Sequence, residues 1–228
     1  MPPELVALNT ETHRHTRMHP VGGVHPHCIQ VVLGELTQAA TCCPLFFVKD
    51  PETGQFNLVA LFGFRAGELL IEGAETGQAP FVPLEIVRQG FYAVGDTIAL
   101  DQAHPRFAPG GSIPLFDAMG EPTDETRLIQ RTIGALIQGK AATRAFIDAM
   151  VQLRVIEPIA LTLNFDDGEK FNLMDLYTIS LDALNDLDDS TIVRLFRDGS
   201  LAAALCIQGS VRQVGVLAQR RNNALGII

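Results

Sequence analysis

The chain has 228 residues, 47% of them apolar, with 13 Phe and no Trp, enough to build a core without a metal or a disulfide. Its 17 Lys and Arg stand against 26 Asp and Glu, for a net charge of −9. That balance argues against a phosphate-neutralising nucleic-acid surface and against docking of the body on anionic lipid.

Residues 1–26 are polar and punctuated by Pro2, Pro3, Pro20, Gly22, Gly23 and Pro26, which reads as an extended arm ahead of one domain over 27–228. His13, His15, His19, His25 and His27 cluster in and beside it, yet no fixed spacing and no carboxylate or Cys cluster accompanies them. A solvated arm without a specific metal is expected, and no cofactor. Cys28, Cys42, Cys43 and Cys206 form no CxxC pair and read as buried thiols of a reducing compartment. The N-terminus has no apolar h-region, and no apolar run approaches the roughly 20 residues that span a bilayer, so a soluble cytoplasmic protein is expected.

Cys28–Gly34 reads as a strand and Glu35–Thr41 as one or two helical turns. Leu45–Val48, Phe56–Phe64 and Leu69–Ile71, separated by Asp50–Gly54 and Arg65–Gly67, read as consecutive antiparallel strands. Phe81–Phe91 is irregular, Thr97–Leu100 is a strand and residues 101–114 are a loop. Thr123 is an N-cap with Asp124 and Glu125 behind it, and an apolar helical stripe follows from Leu128 to Gly139, where the helix is expected to stop. A second helix begins near Ala141 and ends before Pro158. Ile159–Phe165 and Lys170–Ile179 flank Asp166-Asp167-Gly168-Glu169, a hairpin signal. Helices follow from Ser180, one stopped by Gly199. The last runs from about Ser200 to Asn222 with Leu201, Leu205, Val211, Val214 and Leu217 inward. The fold class is α+β: an antiparallel sheet meander with C-terminal helices packed on it.

No Walker loop, GxGxxG, GxSxG, HExxH or paired CxxC motif is present, so no catalytic residue is assigned and an enzyme is not the favoured reading. The acidic pairs Asp166/Asp167, Asp188/Asp189 and Asp182/Asp186 fall at a turn or near helix N-termini. Glu68 and Arg88 are charges embedded in apolar sequence, and such charges pair when buried. They are expected to pair with each other, and a ligand clamp is their alternative role. His104 and Arg106, in a long loop, complete the candidate ligand-binding set.

Several segments together resemble the bacterial SapC family over about His13 to Arg220. They are His13 and Arg17; Glu35 with Pro44-Leu45-Phe46-Phe47; Leu61–Phe64 with Gly67-Glu68-Leu69-Leu70; Phe81–Phe91; and Leu115–Thr123 (LFDAMGEPT), the most specific match. Leu195–Leu201 and Ser210–Leu217 resemble the family's closing elements. The chain departs from the pattern at Leu69, at Cys43-Pro44 and Gln89-Gly90, and at Ile179-Ser180-Leu181. The resemblance implies association with bacterial surface-layer or peptide-modification systems. On that basis the expected function is a non-catalytic accessory protein that binds a protein or peptide partner. The alternative is an enzyme or small-ligand binder with a site between the 67–91 segment and the 101–114 loop.

Overall fold

Residues 4–21, 26–71 and 80–225 are described by a computed structural model. In chain order the elements are β1 (Leu5–Ala7), α1 (Thr10–His13), β2 (Arg17–Met18), β3 (Cys28–Gln30), α2 (Leu36–Ala39), β4 (Leu45–Lys49) and β5 (Phe56–Leu61). They continue with α3 (Leu84–Val87), β6 (Phe91–Val94), β7 (Thr97–Asp101), β8 (Ile113–Pro114) and the 29-residue α4 (Asp124–Gln152). The last are β9 (Ile156–Asn164), β10 (Lys170–Ile179), α5 (Leu181–Asn185), α6 (Asp189–Arg197), α7 (Ser200–Ser210) and α8 (Gln213–Ala224). Contacts group them into two units: Met1–Val24 with Val82–Gln138, and His25–Phe81 with Gly139–Ile228. The class is α+β, with antiparallel sheets and C-terminal helices packed on sheet. The division does not follow the arm-and-body boundary read from the sequence.

In the first unit β1, β7 and β6 form an antiparallel sheet in that order, and β2 pairs with β8. The first residues therefore have partners: Val6 lies opposite Leu100, and His13 is buried. Met18, Phe91, Leu100, Leu115, Phe116, Ile129 and Ile133 make the core. Thr123 starts α4 as its sequence predicts, its hydroxyl accepting from the Thr126 amide and donating to the Pro114 carbonyl.

The second unit is a five-stranded antiparallel sheet in the order β3-β5-β4-β10-β9. β4 and β5 form the expected hairpin, closed by Asp50, whose Oδ1 accepts from the Glu52 and Thr53 amides. The third strand of this group is β3, not Leu69–Ile71. Gly63 lies so close to Glu68 that a Cβ there would sit 2.5 Å from the Glu68 Cβ. The chain thus folds back in a loop, with the Leu70 amide bonded to Phe62 O. β9 and β10 form the hairpin signalled by Asp166–Glu169, with a bulge between Leu173 and Leu176 where Asp175 has φ 61°.

Helices α7 and α8 depart from the single helix read from the sequence, being separated by a turn at Val211-Arg212. α7 contacts β4, β10, α2 and α6, and the Ser210 hydroxyl accepts from the Leu45 amide at the start of β4. The buried stripe runs through Ala204, Ile207, Ser210, Val214, Leu217 and Arg221, and Leu205 is 47% exposed. By length and composition alone the Ser200–Ala224 stretch is apolar enough to cross a membrane. Gln208, Ser210, Arg212 and Gln213 interrupt it, so no single uninterrupted apolar run marks it in the sequence.

One helix, α4, replaces the two expected around Gly139. Gly139 is there for close packing: a Cβ on it would lie 2.7 Å from Val32 Cγ2. Arg154, with φ 56°, turns the chain out after the helix, and Pro158 belongs to β9. Gly139→Ala should therefore destabilise the protein despite alanine's helix preference of about 1 kcal/mol. Gly134→Ala, in the same helix with no atom within 4 Å of the added methyl, should stabilise it. Urea unfolding of both variants gives the two signs.

Candidate functional site

The four residues singled out from sequence are engaged within their own units, and Glu68 and Arg88, expected to pair with each other, each have other partners there. Glu68 Oε2 accepts from the Phe64 and Arg65 amides at 2.7 and 3.1 Å, closing the loop that Gly63 permits. Its Oε1 lies 3.6 Å from Nε of Arg221, a residue of α8. The Arg221 side chain is 6% exposed. It also reaches Glu169 Oε2 at 2.5 Å and stacks 4.1 Å over the Phe165 ring. Arg65 is a second partner of Glu169. Two arginines and two glutamates thus tie α8, the β9–β10 turn and the 64–68 loop together. Arg221 falls in a helix whose sequence gives no hint of a buried charge.

In the other unit Arg88 pairs with Glu85, one turn back across the end of α3, and donates to Phe91 O at 3.1 Å. Arg106 is 9% exposed. Its Nη1 donates to the Val87 and Gln89 carbonyls at 2.7 and 3.0 Å, its Nε donates to His19 O at 3.4 Å, and its guanidinium lies over Phe91. It satisfies carbonyls that α3 leaves open at its C-terminus, and burial lowers its pKa. His104 Nδ1 accepts from the Arg106 amide. Desolvation, with the Arg106 charge behind it, holds the imidazole below its ordinary pKa against the pull of Asp101. These contacts make both residues structural parts of the 101–114 loop.

The other sequence candidates resolve similarly. His13 is buried beside Asn9 and Gln102, and His25 lies outside the described residues. Among the described residues no three His, Cys, Asp or Glu converge on a metal position. The Cys42 and Cys43 sulfurs lie 3.6 Å apart. The bond between them favours the Cys42 thiolate and, with burial, strongly disfavours ionisation of Cys43. Burial raises Cys28 to about 11.

A further open feature among the described residues is the outer side of β9 with the cleft at its start. β9 ends the sheet, and among the described residues only β10 pairs with it. Phe165 N bonds Glu169 O at one end of the hairpin and Ser180 N bonds Val155 O at the other. Antiparallel ladders alternate, so the odd residues of β9 bond β10 and the even ones turn their backbone groups outward. Ala160, Thr162 and Asn164 therefore present N–H and C=O groups that no described strand pairs, and Pro158, lacking an N–H, loses no ladder bond. Beside the first half of β9 is a cleft of about 260 Å³ lined by Glu157, Ile159, Thr178, Ser180, Asp182 and Gln208 among others. Sequence reasoning named Asp182 only as a residue near a helix N-terminus and did not find Glu157 or Thr178. No local motif marks them, because pairing of β9 with β10 creates the site.

A family model of SapC matches residues 8–217, and the chain belongs to the SapC family. No curated protein and no solved structure matches the chain.

Two measurements test this account. Arg221→Ala should cost about 3 kcal/mol of unfolding free energy, as expected for leaving carboxylates without their buried partner. Arg221→Lys, which keeps the charge but loses the fork, should recover only part of it. The folded protein binds a proton at His104 less readily than the unfolded chain, so its stability should fall as pH drops below the ordinary imidazole value near 6.5. His104→Asn, which keeps an acceptor but does not titrate, should show a smaller loss of Tm between about pH 8 and about pH 5.5.

Proposed function

We propose that this SapC-family protein is a non-catalytic accessory protein of the cytoplasm that binds a protein or peptide partner, in the setting of bacterial surface-layer or peptide-modification systems. The observation that carries this reading is the outer edge of β9, which no strand among the described residues pairs. Edge strands of this length are normally shortened, charged, bulged or covered, because a row of free N–H and C=O groups recruits another strand. Here nine residues lie at the edge, with Ile159, Leu161 and Leu163 half-buried along one face. An extended peptide added there gains main-chain hydrogen bonds from Ala160, Thr162 and Asn164 and side-chain contact with the apolar row. The acidic balance of the chain and the absence of catalytic motifs from its sequence agree with a binding role.

Thr162→Pro is the direct test. It deletes an outward amide that bonds nothing in β10, so the fold should survive with an unchanged circular dichroism spectrum. Capture of extended peptides from a library of acetylated, amidated nonapeptides should fall at least tenfold, while Thr162→Val, which keeps the amide, should retain it. Equal capture by the proline variant would refute the edge as the binding element.

A further inference from the structure

The cleft at the start of β9 has a chemistry of its own. Glu157 and Asp182 bring two carboxylates to its lining, and neither has an ion-pair partner among the described residues. Among the described residues no Lys or Arg lines it. Thr178 also lines it and is only 6% exposed, yet its Oγ1 is buried without a hydrogen-bond partner. Buried hydroxyls are normally satisfied, so an orphan one at a cleft marks a place for a polar group brought from outside. Thr178 is the cross-strand partner of Glu157, and residues directly opposite in an antiparallel pair share a face. The orphan hydroxyl and the Glu157 carboxylate therefore belong to the same side of the hairpin. Ile159, two residues along β9, lies on that side and lines the cleft as well.

Continuity with the strand edge decides what fits. A peptide paired with the outward groups of Ala160, Thr162 and Asn164 extends past Ile159 toward Glu157, and its residues opposite these two share their face. A side chain from that position enters the cleft. At about 260 Å³ the space is below the usual size of a small-molecule pocket and suits one long side chain. Ile159, Ile179, Leu181 and Val211 offer apolar wall for its methylenes, and the carboxylates and hydroxyl accept hydrogen bonds from its head. Lysine and arginine combine an apolar stem with a head that only donates.

We infer that the segment recruited by β9 is basic: it carries a lysine or arginine whose cationic head is bound in the cleft by Glu157, Asp182 and Thr178. This rests on the proposed edge-binding role and names the class of partner for that site.

The test uses the full chain and the same nonapeptide library, with captured sequences read out for wild type, Glu157→Gln, Asp182→Asn and the double variant. Both carboxylates are exposed, and the melting temperature of each variant checks the fold. Wild type should enrich Lys or Arg at one register position. Replacing that residue by norleucine in a captured peptide should weaken binding at least tenfold, and the double variant should lose the preference while still capturing peptides. Capture without basic enrichment, lost on Thr162→Pro, overturns this inference and leaves the edge reading standing. Basic enrichment that survives the double variant also overturns it, since the cation is then held elsewhere. Absence of any capture by wild type overturns both.

Discussion

The buried guanidinium of Arg221 is the contact on which the second unit's geometry turns. It joins three segments far apart in sequence: the loop closed by Glu68, the β9–β10 turn carrying Glu169, and α8. Burying a charge is expensive unless its hydrogen bonds and counter-charges are in place. Here the partners are about a quarter exposed, 23% for Glu68 and 27% for Glu169, so water carries part of their solvation. Phe165 covers the flat face of the guanidinium, a contact a lysine ammonium cannot reproduce. Nη1 is left without a partner among the described residues, so the network retains an unpaid desolvation cost. Its role is positional more than stabilising: it fixes where the hairpin turn sits on α8, and the Asn222 side chain adds a bond to the Asp166 amide.

That anchorage matters because the outer half of the hairpin has little sheet pairing to hold it. β10 pairs with β4 only at Leu176 and Tyr177. Beyond the bulge its outer half is a two-stranded ribbon, and such ribbons are marginal unless something holds them. The aromatic contacts of Phe64 with Phe165 and Phe171 supply the apolar part of that hold, and Glu169 with Arg65 and Arg221 the polar part. A bulge normally helps to blunt an edge by twisting it. Here it lies on β10, the inner strand, so β9 keeps an uninterrupted alternation of inward and outward backbone groups. Pro158 closes one position of the edge and leaves the stretch from Ala160 to Asn164 open.

Local signals were legible in the sequence, and relations between distant segments were not. Asp50–Gly54, Thr123 and Asp166–Glu169 announce their turns and cap because the governing hydrogen bonds are made within a few residues. Gly139 misled for the same reason: a glycine after an apolar stripe reads as a helix stop, and the contact that demands it comes from Val32, over a hundred residues earlier. Glu68 was recognised as a charge needing a partner, but Arg88 and Arg221 are equivalent candidates in one dimension. Only the fold-back at Gly63 and the packing of α8 choose between them. The C-terminal stripe differs from the expected one because the packing of α7 on α2, α6, β4 and β10, with the Ser210 hydroxyl on the Leu45 amide, is set by distant segments. In each case the local preference was real, and a long-range contact chose among its alternatives.

On the proposed reading, recognition would be divided between two parts of one strand. Main-chain pairing along Ala160–Asn164 is indifferent to the partner's sequence, since every residue but proline offers the same groups. An open edge alone would therefore accept many segments, including another copy of itself. Discrimination has to come from a side-chain site in register with the strand, and the cleft at Glu157, Thr178 and Asp182 is the element placed to provide it. Its carboxylates also repel acidic segments, so the net charge of −9 works with the cleft rather than apart from it. An acidic chain meeting its own edge is disfavoured by the same field. The features proposed to select a basic partner would thus also disfavour self-association of the edge, an effect that weakens as salt shortens the reach of the charge to about 8 Å at physiological ionic strength.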